Sequence, residues 1–203
     1  MILKTFSKGL ARMLHDGDIA VIPTDTLYGI VGSALMPDVV EHIYAIRGRS
    51  RRKPMIVLIS SPDDIAVFGI RLSKKQREFL DDLWPGRVSV ALRCSSNRFW
   101  YLHRSTRSLA FRVPASAVLC RFIEKTGPLV APSANPEGRK PAYRVGDAKN
   151  YFENAVDMYV DGGTLKKMPS TVIKLGRRGI QRIRDGAVPF SVIERRWLRM
   201  NGQ

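Results

Sequence analysis

The stretch Asp18–Gly32, DIAVIPTDTLYGIVG, decides how the rest of the chain is read. Its apolar run Ile19-Ala20-Val21-Ile22 predicts a buried strand. Pro23 has no N–H to give a ladder and predicts that strand's end. Thr24, Asp25, Thr26 and Tyr28 follow at once, closed by Gly29. Polar side chains just past the carboxyl end of a buried strand lie where open α/β sheets hold ligands. Local chemistry leaves a second reading open, a capped turn in which Thr24 and Asp25 satisfy backbone groups.

Working outward, Ser7–His15 predicts an amphipathic helix with Leu10, Met13 and Leu14 on one face and Gly17 as its C-cap. Tyr28–Leu35 reads as extended, and Pro37-Asp38 starts a helix carrying Val39, Val40, Ile43, Tyr44 and Ile46. That helix runs into a dense basic loop, Arg47–Pro54. Met55–Ile59 predicts a central strand, and Ser61 and Ser73 cap two helices, the second ending before Trp84-Pro85-Gly86. Val88–Leu92 is a strand interrupted only by Ser89, and residues 94–108 read as irregular. Leu109–Val113, Leu129–Ala131, Met158–Val160, Thr171–Leu175 and Ile180–Ile183 complete the predicted strands. Ala115–Thr126, a short segment to about Asn154 and a basic terminal segment, Phe190–Met200, complete the helices, with a mobile-looking loop at Glu137–Arg144. Alternating strands and helices predict one α/β domain with a twisted mixed sheet, its core about 5–188 and 189–203 a basic terminal helix or tail.

The 203 residues are 44% hydrophobic, enough for a sizeable core. No apolar run reaches membrane-span length, and the N-terminal residues lack a secretory pattern. Cys94 and Cys120 are too few for a disulfide framework, so a reducing cytoplasm is expected. Lys and Arg number 34 against 18 acidic residues, a net charge of +16. Such an excess concentrates polyanions and points to nucleotides or nucleic acid, although a lineage with basic proteins has the same signature.

Three strands end in polar, proline-bearing turns: Pro23–Thr26, Arg112–Pro114 and Pro132–Asn135. A fourth polar element, Pro169-Ser170-Thr171, enters a strand. Singly, each is loop punctuation. Together with the basic loop they point to convergence on an anionic ligand, since hydroxyls, amides and arginine forks suit phosphate and ribose. The bland account of the loop is a solvated charge run at a helix end. The sequence has no GxxxxGK[ST], GxGxxG, HExxH or GxSxG, and His15, His42 and His103 lie far apart. Cys120 reads as core. Phe99-Trp100-Tyr101 among Arg98, Arg104 and Arg107 is the one place where aromatic and basic residues interleave as in RNA-binding surfaces.

The ordered set PTDTLYGI (23–30), KPM (53–55), WPGR (84–87), SLAFRVP (108–114), PLVAPSANP (128–136), PSTV (169–172) and RIRDGA (182–187) resembles the YrdC family, from the first helix to about Val188. The family includes the threonylcarbamoyl-AMP synthases of tRNA modification. The resemblance implies a reaction of L-threonine, bicarbonate or carbon dioxide, and ATP, giving threonylcarbamoyl-adenylate and pyrophosphate. A threonylcarbamoyl transferase complex would then modify tRNA. It also implies a twisted α/β sheet with a basic concave cavity, in the short, single-domain form. Thr24, Thr26, Tyr28 and Leu58 would form the threonine side, with Arg112 on the carboxylate and Ser170 as its hydroxyl partner. Arg47, Arg49, Lys53, Ser108, Ala131, Ser133, Asn135 and Arg184 would form the ATP side. Mg²⁺ would arrive on the ATP phosphates, without protein ligands, and no protein nucleophile is implied. The chain departs from the family pattern at Arg47 where lysine is usual, Ser108 where threonine is usual, Glu137 where serine is usual, Pro141 in place of a polar residue, and Pro85-Gly86-Arg87-Val88-Ser89 in place of the PGP-T turn. A carboxylate at 137 would be unfavourable beside a triphosphate unless Arg139 or Lys140 offset it. The competing readings are a non-catalytic RNA-binding relative and a hydrogenase-maturation relative, the latter disfavoured by length.

Overall fold

The structure, a computed structural model, describes residues 1–176 and 179–202. A short strand β1 (Ile2–Leu3) precedes helix α1 (Lys8–Asp16), whose N-cap Ser7 accepts the Leu10 N–H. Gly17 ends the helix at φ 109°, a left-handed conformation that glycine takes without a Cβ clash. The decisive stretch forms a hairpin, β2 (Ala20–Pro23) and β3 (Tyr28–Ser33), in which Pro23 pairs with Tyr28. Helix α2 (Pro37–Ile46) leads through the basic loop to β4 (Ile56–Leu58).

Ser61 does cap a helix, but a 3₁₀ one, Pro62–Phe68, with Asp64 closing the capping box. Helix α3 (Lys74–Leu83), capped by Ser73, precedes β5 (Val88–Arg93). Residues 94–108 are more ordered than their sequence indicates. They hold a 3₁₀ turn at Asn97–Phe99, one helical turn α4 (Trp100–His103) and the start of β6 (Ser108–Arg112). Helix α5 (Ala117–Thr126), β7 (Leu129–Val130), α6 (Val145–Phe152) and β8 (Met158–Val160) follow. The chain closes with β9 (Thr171–Leu175), β10 (Ile180–Arg184) and α7 (Phe190–Met200).

The ten described strands form one mixed, open, twisted sheet in the order β1-β8-β2-β3-β7-β4-β6-β5-β9-β10. Strand alternation divides its apolar side chains between two cores. Ala20 and Ile22 join α1 and α5 through Leu10, Leu14, Leu119 and Phe122 on one face. Ile19 and Val21 join the larger core on the other face, with α2, α3 and α7. Both faces being covered explains why β2 reads as an unbroken apolar run. The terminal segment is an integral helix: Ile193 is fully buried, and Trp197 meets Phe79 edge-on at 5.0 Å between ring centroids.

Candidate functional site

The turn at residues 24–27 is closed by one hydroxyl. Thr24 Oγ1 accepts the N–H groups of Thr26 (3.1 Å) and Leu27 (3.2 Å) and donates to the Leu27 carbonyl (2.7 Å). The capped-turn account therefore describes Thr24 well. Asp25 does something else. Its carboxylate pairs with Arg112 from the carboxyl end of β6 and accepts the Ala115 N–H at 3.0 Å. Both partners are more than nine-tenths buried, and Arg112 Nε has no hydrogen-bond partner among the described residues. A buried arginine needs such a counter-charge, so Asp25 sets where the Arg112 fork sits. The sequence placed Asp25 in the turn but not on the arginine.

Thr24, Thr26 and Tyr28 line a cavity of about 620 Å³ together with Arg49, Ser108, Arg112, Ala131, Ser133, Ser170 and Arg184. Ten of the fourteen site residues expected from sequence thus share one wall. The Tyr28 hydroxyl is fully used, donating to the Gly163 carbonyl and accepting the Gly162 N–H, each at 2.8 Å. It pins the 161–163 segment over the turn rather than presenting a free hydroxyl. Ser170 is held by the fully buried Ser89, hydroxyl to hydroxyl at 2.9 Å. Ser89, the interruption in an apolar strand, was the signal for a second layer behind Ser170. Arg184 lies at a bulge in β10 and donates to the Ser170 carbonyl at 2.8 Å. Its guanidinium is held below the ordinary arginine range by burial first, then by the nearby charges of Arg49 and Arg112.

Four expected residues lie off this wall. Leu58 shares a sheet face with its strand partner Arg112, but there α1 and α5 already cover the face, and Leu58 is wholly buried with Phe122 and Leu129. Arg47 turns inward beneath the 133–135 turn. It donates from Nε to the Asn135 carbonyl (2.9 Å) and from Nη2 to Ser133 Oγ (3.4 Å), and burial together with Arg49 pushes its pKa down to about 10. Asn135 spends its amide on the carbonyls of Pro136 (2.8 Å) and Arg139 (2.9 Å). Lys53 is exposed and pairs with Glu137. The offset to that departing carboxylate therefore comes from Lys53 and the Ser50 N–H, not from Arg139 or Lys140.

Sequence reasoning missed Tyr143 and Lys167, which also line the cavity. Loop 137–144 is tied down as well: Leu165 N–H donates to Tyr143 O (2.8 Å) and Tyr151 Oη to Lys140 O (3.2 Å). The aromatic–basic interleaving near Trp100 dissolves in three dimensions. Phe99 is buried, Tyr101 Oη donates to Ala34 O at 3.0 Å, and Arg104 lies buried over the Tyr44 ring and against Glu41. Only Trp100 stays exposed among those three aromatics. No group of three or more His, Cys, Asp or Glu poised for a metal occurs among the described residues.

An open mixed sheet with proline-bearing turns gathered at strand ends around one arginine-lined cavity defines an α/β ligand-binding protein of the YrdC type. The chain belongs to the Sua5/YciO/YrdC family, whose model, described as telomere recombination, matches residues 12–186. It is 27% identical over 187 residues to a threonylcarbamoyl-AMP synthase of Pyrococcus abyssi, covering 91% of this chain and 55% of that protein. It is 30% identical over 174 residues to a threonylcarbamoyl-AMP synthase of Halorhodospira halophila, covering 83% and 89%. The chain thus spans about half the length of the archaeal relative and most of the bacterial one. The crystal structure of P. abyssi Sua5 complexed with L-threonine superposes with a TM-score of 0.89 at 25% identity, over 97% of this chain and 60% of that one. E. coli YciO shares the fold, with a TM-score of 0.82 at 18% identity over 93% and 97%.

Proposed function

We propose that this chain is a threonylcarbamoyl-AMP synthase acting on L-threonine, bicarbonate or carbon dioxide, and ATP. The observation that carries the reading is the convergence of Arg49, Arg112 and Arg184 with the Thr24, Thr26 and Ser170 side chains on one cavity. Relatives bearing the synthase name, and a family structure complexed with L-threonine, support it. Lys167 adds a fourth cation, and no carboxylate lines the cavity among the described residues, so its field favours anions.

In this reading Arg112, aimed by Asp25, meets the threonine carboxylate, and Ser170, aimed by Ser89, meets its polar groups. The neutral threonine amine adds to carbon dioxide and loses a proton, or adds to bicarbonate with loss of water, to give a carbamate. A carbamate oxygen then attacks the α-phosphorus in line, and pyrophosphate leaves. No protein nucleophile takes part, so the rate depends on positioning and on Arg49 and Arg184 offsetting phosphate charge. Mg²⁺, if carried on the nucleotide's own phosphates, would offset part of their charge beside Arg49 and Arg184. The product would pass to a transferase that modifies tRNA. No helix among the described residues is long and apolar enough to cross a membrane, and a cytoplasmic site of action is proposed.

Incubation with ATP, threonine and bicarbonate is expected to release pyrophosphate only when all three are present, with a product of the mass of threonylcarbamoyl-adenylate. Pyrophosphate release indifferent to threonine would overturn the reading. Arg49→Ala should raise the KM for ATP more than tenfold with little effect on threonine, and Ser170→Ala should do the reverse; about 1.4 kcal/mol of lost binding corresponds to that factor.

A further inference from the structure

We propose that Glu137 is an internal anion that fills the Ser50–Lys53 turn, on the nucleotide side to which the family resemblance already assigns Lys53, so that a bound polyphosphate must displace Glu137 to reach that lysine. Only the identity of the occupant rests on the synthase reading. One Glu137 oxygen accepts the Ser50 N–H at 2.5 Å, and the other pairs with the Lys53 ammonium. A backbone N–H beside an ammonium is the donor set that phosphate oxygens take.

The turn keeps its shape by other bonds. Lys53 N–H donates to Ser50 O (3.1 Å), and Arg49 clamps it from the cavity side, donating to Lys53 O (3.0 Å) and Pro54 O (3.1 Å). Arg49 lines the cavity, which puts the turn at its rim. Glu137 is anchored separately, its N–H donating to Arg47 O at 2.8 Å, so the carboxylate can swing out while the backbone stays. The side chains of Lys53 and Glu137 are 62% and 27% exposed, and an ion pair that wet exchanges readily for a stronger anion.

The test measures binding of ATP and of inorganic tripolyphosphate by calorimetry to the full chain, Glu137→Gln, Lys53→Met and the double variant, with threonine-dependent pyrophosphate release run in parallel. Glu137→Gln is expected to bind both polyphosphates about two- to fivefold tighter, and that gain is expected to vanish in the Lys53→Met background. Unchanged or weaker binding by Glu137→Gln would make the pair a structural strut and overturn the proposal. A gain undiminished without Lys53 would reduce it to long-range repulsion, and failure of every variant to bind tripolyphosphate would also overturn it. The expected tripolyphosphate pattern without threonine-dependent turnover keeps the subsite and removes the synthase. Normal turnover without the Glu137→Gln gain does the opposite.

Discussion

Asp25 and Arg112 form the one ion pair of the described residues in which both side chains are almost wholly buried. Removing one charge from such a pair strands the other in low dielectric, at a cost of about 3–5 kcal/mol. Asp25→Asn is therefore expected to lower stability in urea unfolding by about 3 kcal/mol and to raise the KM for threonine, with the KM for ATP less affected. Glu137 presents the opposite case, a wet carboxylate. The Lys53 ammonium first, then the Ser50 N–H, hold its carboxyl below the ordinary carboxylate range. A carboxylate depressed in the folded state keeps its contribution above the unfolded pKa, about 4.3 for glutamate, and loses it as pH falls through the folded value. The ratio of ATP affinities between Glu137→Gln and the unaltered chain is thus expected to stay flat from about pH 6 to 9. Titration calorimetry across that range checks it.

Element contacts explain why motifs far apart in sequence occur together. A Cβ on Gly186 would lie 2.5 Å from Pro169 O, Ser170 C and Thr171 N, all backbone atoms. The glycine of RIRDGA therefore lets the chain pass directly against PSTV. Gly186→Ala must move the Ser170 carbonyl and with it the Arg184 hydrogen bond. A stability loss of about 1–3 kcal/mol and a threonine KM raised several-fold are expected, read by thermal unfolding and steady-state kinetics. The β2–β3 turn and β6 are joined in the same manner, by Asp25 reaching both Arg112 and the Ala115 N–H.

Across the chain as a unit, the terminal basic helix is core structure. Trp197 packs on Phe79, and Lys75 lies over its ring at 5.3 Å. Trp197→Ala is expected to cost about 3–5 kcal/mol in denaturant unfolding. Much of this fold was legible beforehand. Periodicity and capping chemistry depend on residues a few positions apart, so the strand before Pro23, the helix after Ser7 and the stop at Gly17 could be read directly. The interruption at Ser89 was visible too, though its partner Ser170 lies 81 positions away.

What remained closed was the sorting of like charges. Arg47, Arg49 and Lys53 occupy one short loop and look alike in sequence. In three dimensions Arg47 is buried against Asn135, Arg49 faces the cavity and Lys53 pairs with Glu137. The partners that separate them stand more than 80 positions down the chain. Local chemistry was thus enough to determine most of the elements, the turns and the strand ends that line the cavity. Which cation faces the cavity was decided only by tertiary contact, because an ion pair depends on distance through space and on burial, and neither follows from spacing along the chain.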